Sequence, residues 1–251
     1  MTVTKYSANG NDFVIMIRKK KKDRSQLAKR LCHRQNGVGA DGLVVVMPHS
    51  EYDFEWDFYN ADGSRATMCG NASRAVAHFA MSKGISSGSE AEFLTGAGVI
   101  RAMVNGNYVV SDMTKPITLS QEIEAEGERW WFIDTGVPHL VAIRNEIDTF
   151  DLEQARALRD KYNANVNICM VDKDEENTMY VRTYERGVED ETLACGTGMV
   201  ACFIRANEEN LVEKSVKIFP KSKDELYISL EDNIYKFGGE VTKTFVAETI
   251  D

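Results

Sequence analysis

Phe54, Trp56 and Phe58 alternate with Glu55, Asp57 and Tyr59, which is the two-residue period of a strand with one buried face. Shorter apolar or alternating runs predict further strands at 43–47, 99–104, 108–112, 131–134, 140–143, 179–184 and 227–230. Asn105, Gly106 and Asn107 lie between two of these runs, and such residues accept the positive φ of a tight hairpin, so antiparallel pairing is expected. Helical spacing predicts helices at 25–34, 72–83 with Gly84 as the C-terminal stop, 151–162 and 197–207. Strands outnumber helices, and the fold class is read as α+β. The second and fourth helices are apolar on more than one face (Ala75, Val76, Phe79, Ala80; Met199, Val200, Phe203, Ile204), which predicts burial of each within a sheet layer.

The two halves of the chain echo each other. Tyr59-Asn60 leads through a polar, glycine-containing loop to Met68-Cys69-Gly70-Asn71 and an apolar helix, and Tyr184-Glu185 leads through a similar loop to Ala194-Cys195-Gly196-Thr197 and another. Strand, polar loop, Cys-Gly and helix thus occur twice, about half a chain apart. This pattern predicts duplicated halves that face each other.

At 251 residues and 43% apolar content, the chain is long enough for one large or two modest cores. The net charge of −9 argues against a nucleic-acid binder, which needs a basic surface, and favours a small soluble ligand. The basic run Arg18 to Arg24 directly follows the apolar segment Phe13 to Ile17 and is read as a solvated turn after a strand. That apolar segment is too short for a signal-peptide core or a membrane span, so a cytosolic protein with no membrane partner is expected. Cys32, Cys69, Cys169, Cys195 and Cys202 include no CxxC pair and no zinc-type spacing, and in a reducing compartment they are expected to be free thiols.

A cysteine just before a helix sits at the positive end of the helix dipole, beside N–H groups with no partner inside the helix. Both features favour a thiolate, lowering the pKa from about 8.5 to roughly 3.5–7.5. The following glycine lets a ligand come close to the backbone, and the N–H groups of the first turn can hold a carboxylate. Loss of an α-proton moves charge onto that carboxylate, so these donors stabilise the transition state more than the ground state. One donor of this type contributes about 3–4 kcal/mol. Inversion at carbon needs a base on one face and an acid on the other, and two equivalent Cys-Gly motifs can supply them. A single Cys-Gly before a helix is weak evidence, because most such cysteines are merely packed. Two in matching surroundings are much stronger.

The motifs Gly10-Asn11-Asp12-Phe13, Gly39-Ala40-Asp41-Gly42-Leu43, Asn60-Ala61-Asp62-Gly63-Ser64, Met68-Cys69-Gly70-Asn71, Pro138-His139, Asn167, Glu185-Arg186-Gly187 and Ala194-Cys195-Gly196-Thr197-Gly198 resemble, in order, those of the diaminopimelate epimerase family. The resemblance spans nearly the whole chain. It implies interconversion of LL- and meso-diaminopimelate, in lysine and peptidoglycan precursor synthesis, with no pyridoxal phosphate, metal or other cofactor. It also implies two pseudo-symmetric domains, each a mostly antiparallel β-barrel wrapped round a central helix. On this reading they cover 1–113 and 114–239, and 240–251 returns to pack on the first. By the same resemblance Cys69 and Cys195 are the acid/base pair, and His139 and Glu185 assist their proton exchange. The amides of Gly70, Asn71, Gly196 and Thr197 hold the reacting carboxylate. Asn11, Asn60, Asn167, Glu185 and Arg186 match positions that hold the two amino-acid ends of the substrate, with Arg186 suited to the distal carboxylate. A homodimer is among the open oligomeric states.

The chain departs from the family pattern at three places. Val137 stands where Asn-Pro-His is common, removing one amide contact to the substrate, and Ala72 replaces a usual glycine with little expected effect. The loop from Glu185 to Cys195 is one residue longer than the commonest form, an insertion that a local bulge is expected to absorb. Proline racemases on this fold typically carry Met-Cys-Gly-His, so Asn71 counts against them. Two rival readings stay open. The chain could racemise another polar amino acid such as histidine, which chiral analysis of an amino-acid panel separates. It could instead be a thiol redox or binding protein, which would exchange no substrate α-protons.

Overall fold

The structure is a computed structural model and describes residues 1–250. In chain order its elements begin with β1 (Thr2–Ala8), β2 (Asn11–Ile17), α1 (Ser25–Cys32), β3 (Gly42–Met47), β4 (Phe54–Asn60), β5 (Arg65–Ala66), α2 (Gly70–Ser82), β6 (Glu90–Thr95), β7 (Gly98–Asn105) and β8 (Tyr108–Asp112). They continue with β9 (Ile117–Ala125), β10 (Glu128–Asp134), β11 (Pro138–Ile143), α3 (Leu152–Tyr162), β12 (Asn165–Val171), β13 (Thr178–Glu185), β14 (Asp190–Thr192) and α4 (Gly196–Glu208). The last are β15 (Ser215–Phe219), β16 (Leu226–Glu231), β17 (Ile234–Glu240) and β18 (Thr242–Glu248). The fold is α+β, and the chain forms two compact units: Met1–Asp112 together with the chain from Gly238 onward, and Met113–Phe237.

In the first unit β1 pairs antiparallel with both β18 and β2. A parallel β2–β3 pair is bridged by α1, and β3 then pairs antiparallel with β4. From β4 come a short antiparallel spur, β5, and a parallel neighbour, β6, reached through α2. Antiparallel β7 and β8 follow. The strands wrap α2, which packs on β1, β2, β3, β6, β7 and β8. That is why α2 is buried from Gly70 to Ala77, its polar Asn71, Ser73 and Arg74 included. On the other side of the sheet, Ala28, Leu31 and Cys32 of α1 pack on Val3, Val14, Met16, Leu43 and Val45. A sheet covered on both faces explains why β3 reads as the unbroken run GLVVVM rather than alternating.

The second unit repeats the order. β10 pairs antiparallel with β9 and β11, and β11 pairs parallel with β12 across α3. Next, β12 and β13 pair antiparallel, with β14 as the spur. β15 is parallel to β13 across α4, and β16 is antiparallel to β15. α4 packs on β10, β11, β12 and β13, and all of Gly196 to Ala206 is buried. Outside the sheet, Ala155 and Leu158 of α3 cover Leu140, Ala142, Val166 and Ile168. Strand for strand, β10–β16 reproduce β1–β7, and α3 and α4 reproduce α1 and α2.

Several local expectations are refined. The first helix stops at Cys32 rather than Arg34, because His33 leaves helical geometry (ψ 123°) and its Nδ1 accepts from the Gln35 and Asn36 amides. Arg24 is not solvated with the rest of its run: it is 4% exposed and donates to the carbonyls of Lys20 and Lys22. The β7–β8 hairpin turns on Gly106 at φ 58°, with Asn105 opposite Tyr108. Unpredicted strands include β1, β6 and β15; β6 and β15 do alternate buried and outward positions, but over only six and five residues.

Candidate functional site

Cys69 is the N-cap residue of α2 and is extended (φ −153°, ψ 117°). Its carbonyl already accepts the Ser73 amide at 2.9 Å, so the helix begins directly beneath the sulfur. The thiol donates to Asn11 Oδ1 at 3.8 Å, and Asn71 Nδ2 donates to the same oxygen at 3.3 Å. Asn11 Nδ2 in turn donates to Asp41 Oδ2 at 2.8 Å. The structure thus brings Asn11, Cys69 and Asn71 together, with Gly70 between the last two in the chain. Asn60 ends β4 in an exposed position, where its Nδ2 donates to Ser64 Oγ at 2.9 Å.

Behind Asn11 stands a charged network. Lys5 Nζ lies 2.7 Å from Asp12 Oδ2 and also donates to the Gly39 carbonyl. Arg34 grips both Asp12 oxygens (2.8 and 2.9 Å) and Asp41 Oδ1 (2.7 Å). Burial pushes the Asp12 carboxyl up, but the hydrogen bonds from Arg34 and Lys5 outweigh it and hold it at about 2. Asp12 and Asp41 belong to motifs noted in the sequence, yet composition and spacing attach no role to them.

In the second unit Cys195 occupies the same place on α4, extended (φ −118°, ψ 105°), with its carbonyl accepting the Met199 amide at 3.0 Å. Its sulfur lies 3.5 Å from Thr197 Oγ1, and the residue as a whole is 6% exposed. The first turn is closely packed at its glycines: a Cβ on Gly198 would meet Asn167 Oδ1 at 2.3 Å and force it to shift, and one on Gly196 would press on the Phe237 ring at 3.0 Å. Thr135 Oγ1 donates to the Thr197 carbonyl at 3.0 Å and fixes the same turn.

Asn167, expected at the substrate, lies in the core of this unit. Its Nδ2 donates to the Leu140 carbonyl at 2.9 Å and faces His139 Nδ1 at 3.0 Å, while Oδ1 accepts from Thr183 Oγ1 at 2.9 Å. His139 is fully buried. Desolvation drives its pKa down to about 3, with a smaller lowering effect of the Arg186 charge. It is a neutral imidazole at neutral pH. With Nδ1 accepting from Asn167, the ring proton falls on Nε2.

Glu185 ends β13, and its carbonyl accepts the Val188 and Glu189 amides. Arg186 donates to the Asn163 carbonyl (3.0 Å) and Oδ1 (3.1 Å) at the end of α3. Its backbone amide donates to Asn165 Oδ1 at 2.8 Å. Asn165, only 2% exposed, thus anchors the Glu185-Arg186 corner and was missed from sequence. Its position, two residues from Asn167 on the same face of β12, was the available signal. Four residues separate the paired Glu185 and Asp190, whereas three separate Asn60 from Ser64, to whose carbonyl its amide donates. The longer loop is accommodated with Gly187 at φ 92° and Glu189 at φ 60°.

Comparison with known proteins bears on these two helix starts. The family described as diaminopimelate epimerase matches residues 3–119 and 131–243. A diaminopimelate epimerase of Nitratiruptor sp. is 58% identical over 98% of this chain and 97% of its own length. Another, from Campylobacter jejuni subsp. doylei, is 51% identical over 98% of each. Among solved structures, a probable proline racemase from Agrobacterium radiobacter with bound carbonate has a TM-score of 0.80 at 13% identity, covering 99% of this chain and 92% of its own. At that identity the likeness concerns the fold alone.

Proposed function

The chain belongs to the diaminopimelate epimerase family, and from that premise we propose that it interconverts LL- and meso-diaminopimelate by proton transfer between Cys69 and Cys195, without a cofactor. The observation that carries the reading is the repeated one: each cysteine is the N-cap of a buried helix, and neither side chain caps its helix. The N–H groups of the first turns, at Gly70, Asn71, Gly196 and Thr197, are then suited to the reacting carboxylate.

One thiolate removes the α-proton as the other thiol delivers a proton to the opposite face of the carbon. A C–H bond breaks and an S–H bond forms on one side, and the reverse happens on the other, with no net change in oxidation state. The amides stabilise charge developing on the carboxylate. Asn11, Asn60, Glu185 and Arg186 are assigned to the substrate's polar groups, Arg186 taking the distal carboxylate in place of the Asn163 oxygens. Asn167, its amide already engaged inside the unit, is assigned to holding the first turn of α4. His139, as a neutral imidazole, supports that turn through Asn167, and Glu185 assists the exchange. The protein is assigned to the cytoplasm, in keeping with five cysteines that form no disulfide among the described residues, where also no helix is long and apolar enough to cross a membrane.

Purified protein kept reduced in D₂O is expected to place deuterium at one α-carbon of LL-diaminopimelate without added cofactor. Well-folded protein that incorporates none refutes the reading. Cys69→Ala or Cys195→Ala should each lower turnover by about 10²–10⁴-fold or more with the fold intact, the usual contribution of a positioned acid or base. Full activity in either variant removes that residue from the mechanism. Faster turnover of histidine in the same chiral assay would instead favour the racemase reading, with Val137 as the cause.

A further inference from the structure

We propose that Asp41 is a positioning residue that locks the Asn11 amide with its oxygen toward Cys69, keeping Cys69 a thiol at rest and making it the proton donor of the first turnover. This rests on the assignment of Cys69 as an acid/base group.

The argument follows from which atoms can donate. A primary amide has one donor end and one acceptor end, and an ionised carboxylate only accepts. Asp41 Oδ2 lies 2.8 Å from Asn11 Nδ2, so the donor end of Asn11 faces Asp41 and its oxygen faces the other way. Turning the amide over would lose that bond and set oxygen against carboxylate. The opposite end of the chain is fixed equally. Arg74, which only donates, gives a hydrogen bond to Asn71 Oδ1 at 2.8 Å, so Asn71 must present its Nδ2 to Asn11. Arg74 is itself buried and donates to Asn9 Oδ1 at 2.7 Å. A permanent acceptor at one end and a permanent donor at the other leave a single arrangement of both amides.

Asp41 is held in turn by Arg34 Nη2 at 2.7 Å and by the Asp12 amide at 3.0 Å. The charged groups around this chain are Lys5 on β1, Asp12 on β2, Arg34 after α1, Asp41 before β3 and Arg74 on α2. Asn11 Oδ1 therefore meets the Cys69 sulfur as an acceptor, at 3.8 Å. A thiol can donate to it, whereas a thiolate would face another acceptor. A hydrogen bond made only by the neutral form disfavours ionisation.

The test reads Cys69 directly. Full-length reduced protein is pulsed with iodoacetamide across about pH 5–9.5, and alkylation of each cysteine is mapped by mass spectrometry. In Asp41→Ala the Asn11 amide can rotate and turn its Nδ2 toward the sulfur, so the Cys69 midpoint should fall by about one unit. That gives about tenfold more thiolate below the midpoint, reduced to roughly threefold in rate because a weaker base is a weaker nucleophile. Cys195, mapped in the same digest, should keep its profile. Asp41→Asn, which keeps the shape and removes the permanent acceptor, should shift Cys69 in the same direction and decides the matter if the alanine variant does not fold. Profiles of Cys69 that superimpose on the native one, or move upward, in a folded variant overturn the proposal. Native protein that does not turn over diaminopimelate refutes the proposed function, but leaves the amide lock to be judged on the alkylation profile.

Discussion

His139 shows what burial does to a single titratable group. Its folded pKa is depressed to about 3 and its unfolded value is near 6.5, so between those limits the unfolded chain binds the extra proton. The contribution to stability is fully present above about pH 6.5 and is lost as pH falls toward 3, by up to about 1.4 kcal/mol per pH unit. His139→Gln removes the group and should flatten the loss of urea-unfolding stability between about pH 6.5 and 4. An unchanged slope there would contradict the neutral, buried assignment. Gly198 makes a related point about space: Asn167 faces His139 through Nδ2, while its oxygen occupies the volume a side chain on Gly198 would need.

At the scale of elements, the helices differ in how they begin. On α3, Asp151 Oδ1 accepts the Glu153 and Gln154 amides at 3.0 Å each, an ordinary N-cap. On α2 and α4 that position holds a cysteine whose side chain makes no cap bond, leaving first-turn amides for a ligand. Asp151→Ala should therefore cost about 1 kcal/mol of stability, seen in thermal or urea unfolding, with turnover at the permissive temperature unchanged. A loss of turnover in protein that is still folded would show that α3 has a larger part in the site than its cap. The sequence distinguishes the two kinds of start, because Asp or Cys at the boundary is a local choice. It does not disclose the spurs β5 and β14, which are only two and three residues long and carry no period.

For the molecule as a whole, the chain's last strand completes the first unit rather than the second. β18 pairs with β1 from Thr2–Glu248 to Ser7–Thr242, and Ala247 packs on the cluster that includes Val3 and Val14. Ending the chain after Val241 would turn β1 into an edge strand with unpaired N–H and C=O groups. Such protein should melt several degrees lower and aggregate more readily, as measured by calorimetry and light scattering. Native-like melting would mean that β18 adds little to the unit. No run within residues 242–248 foretells this partner, because strand pairing depends on residues nearly a chain length apart.

The sequence by itself determined the α+β class, the four helices to within a few residues at either end, and the two Cys-Gly helix starts. Each is written in local periodicity or in one boundary residue, and backbone geometry translates that directly. Only the tertiary structure decided the rest. It engaged the Asn167 amide in the core, kept His139 neutral, anchored Arg186 through Asn165, and aimed Asn11 by way of Asp41. These outcomes depend on which donor meets which acceptor once distant strands are paired, and on how much water is excluded there. Neither quantity has a signature in a run of neighbouring residues.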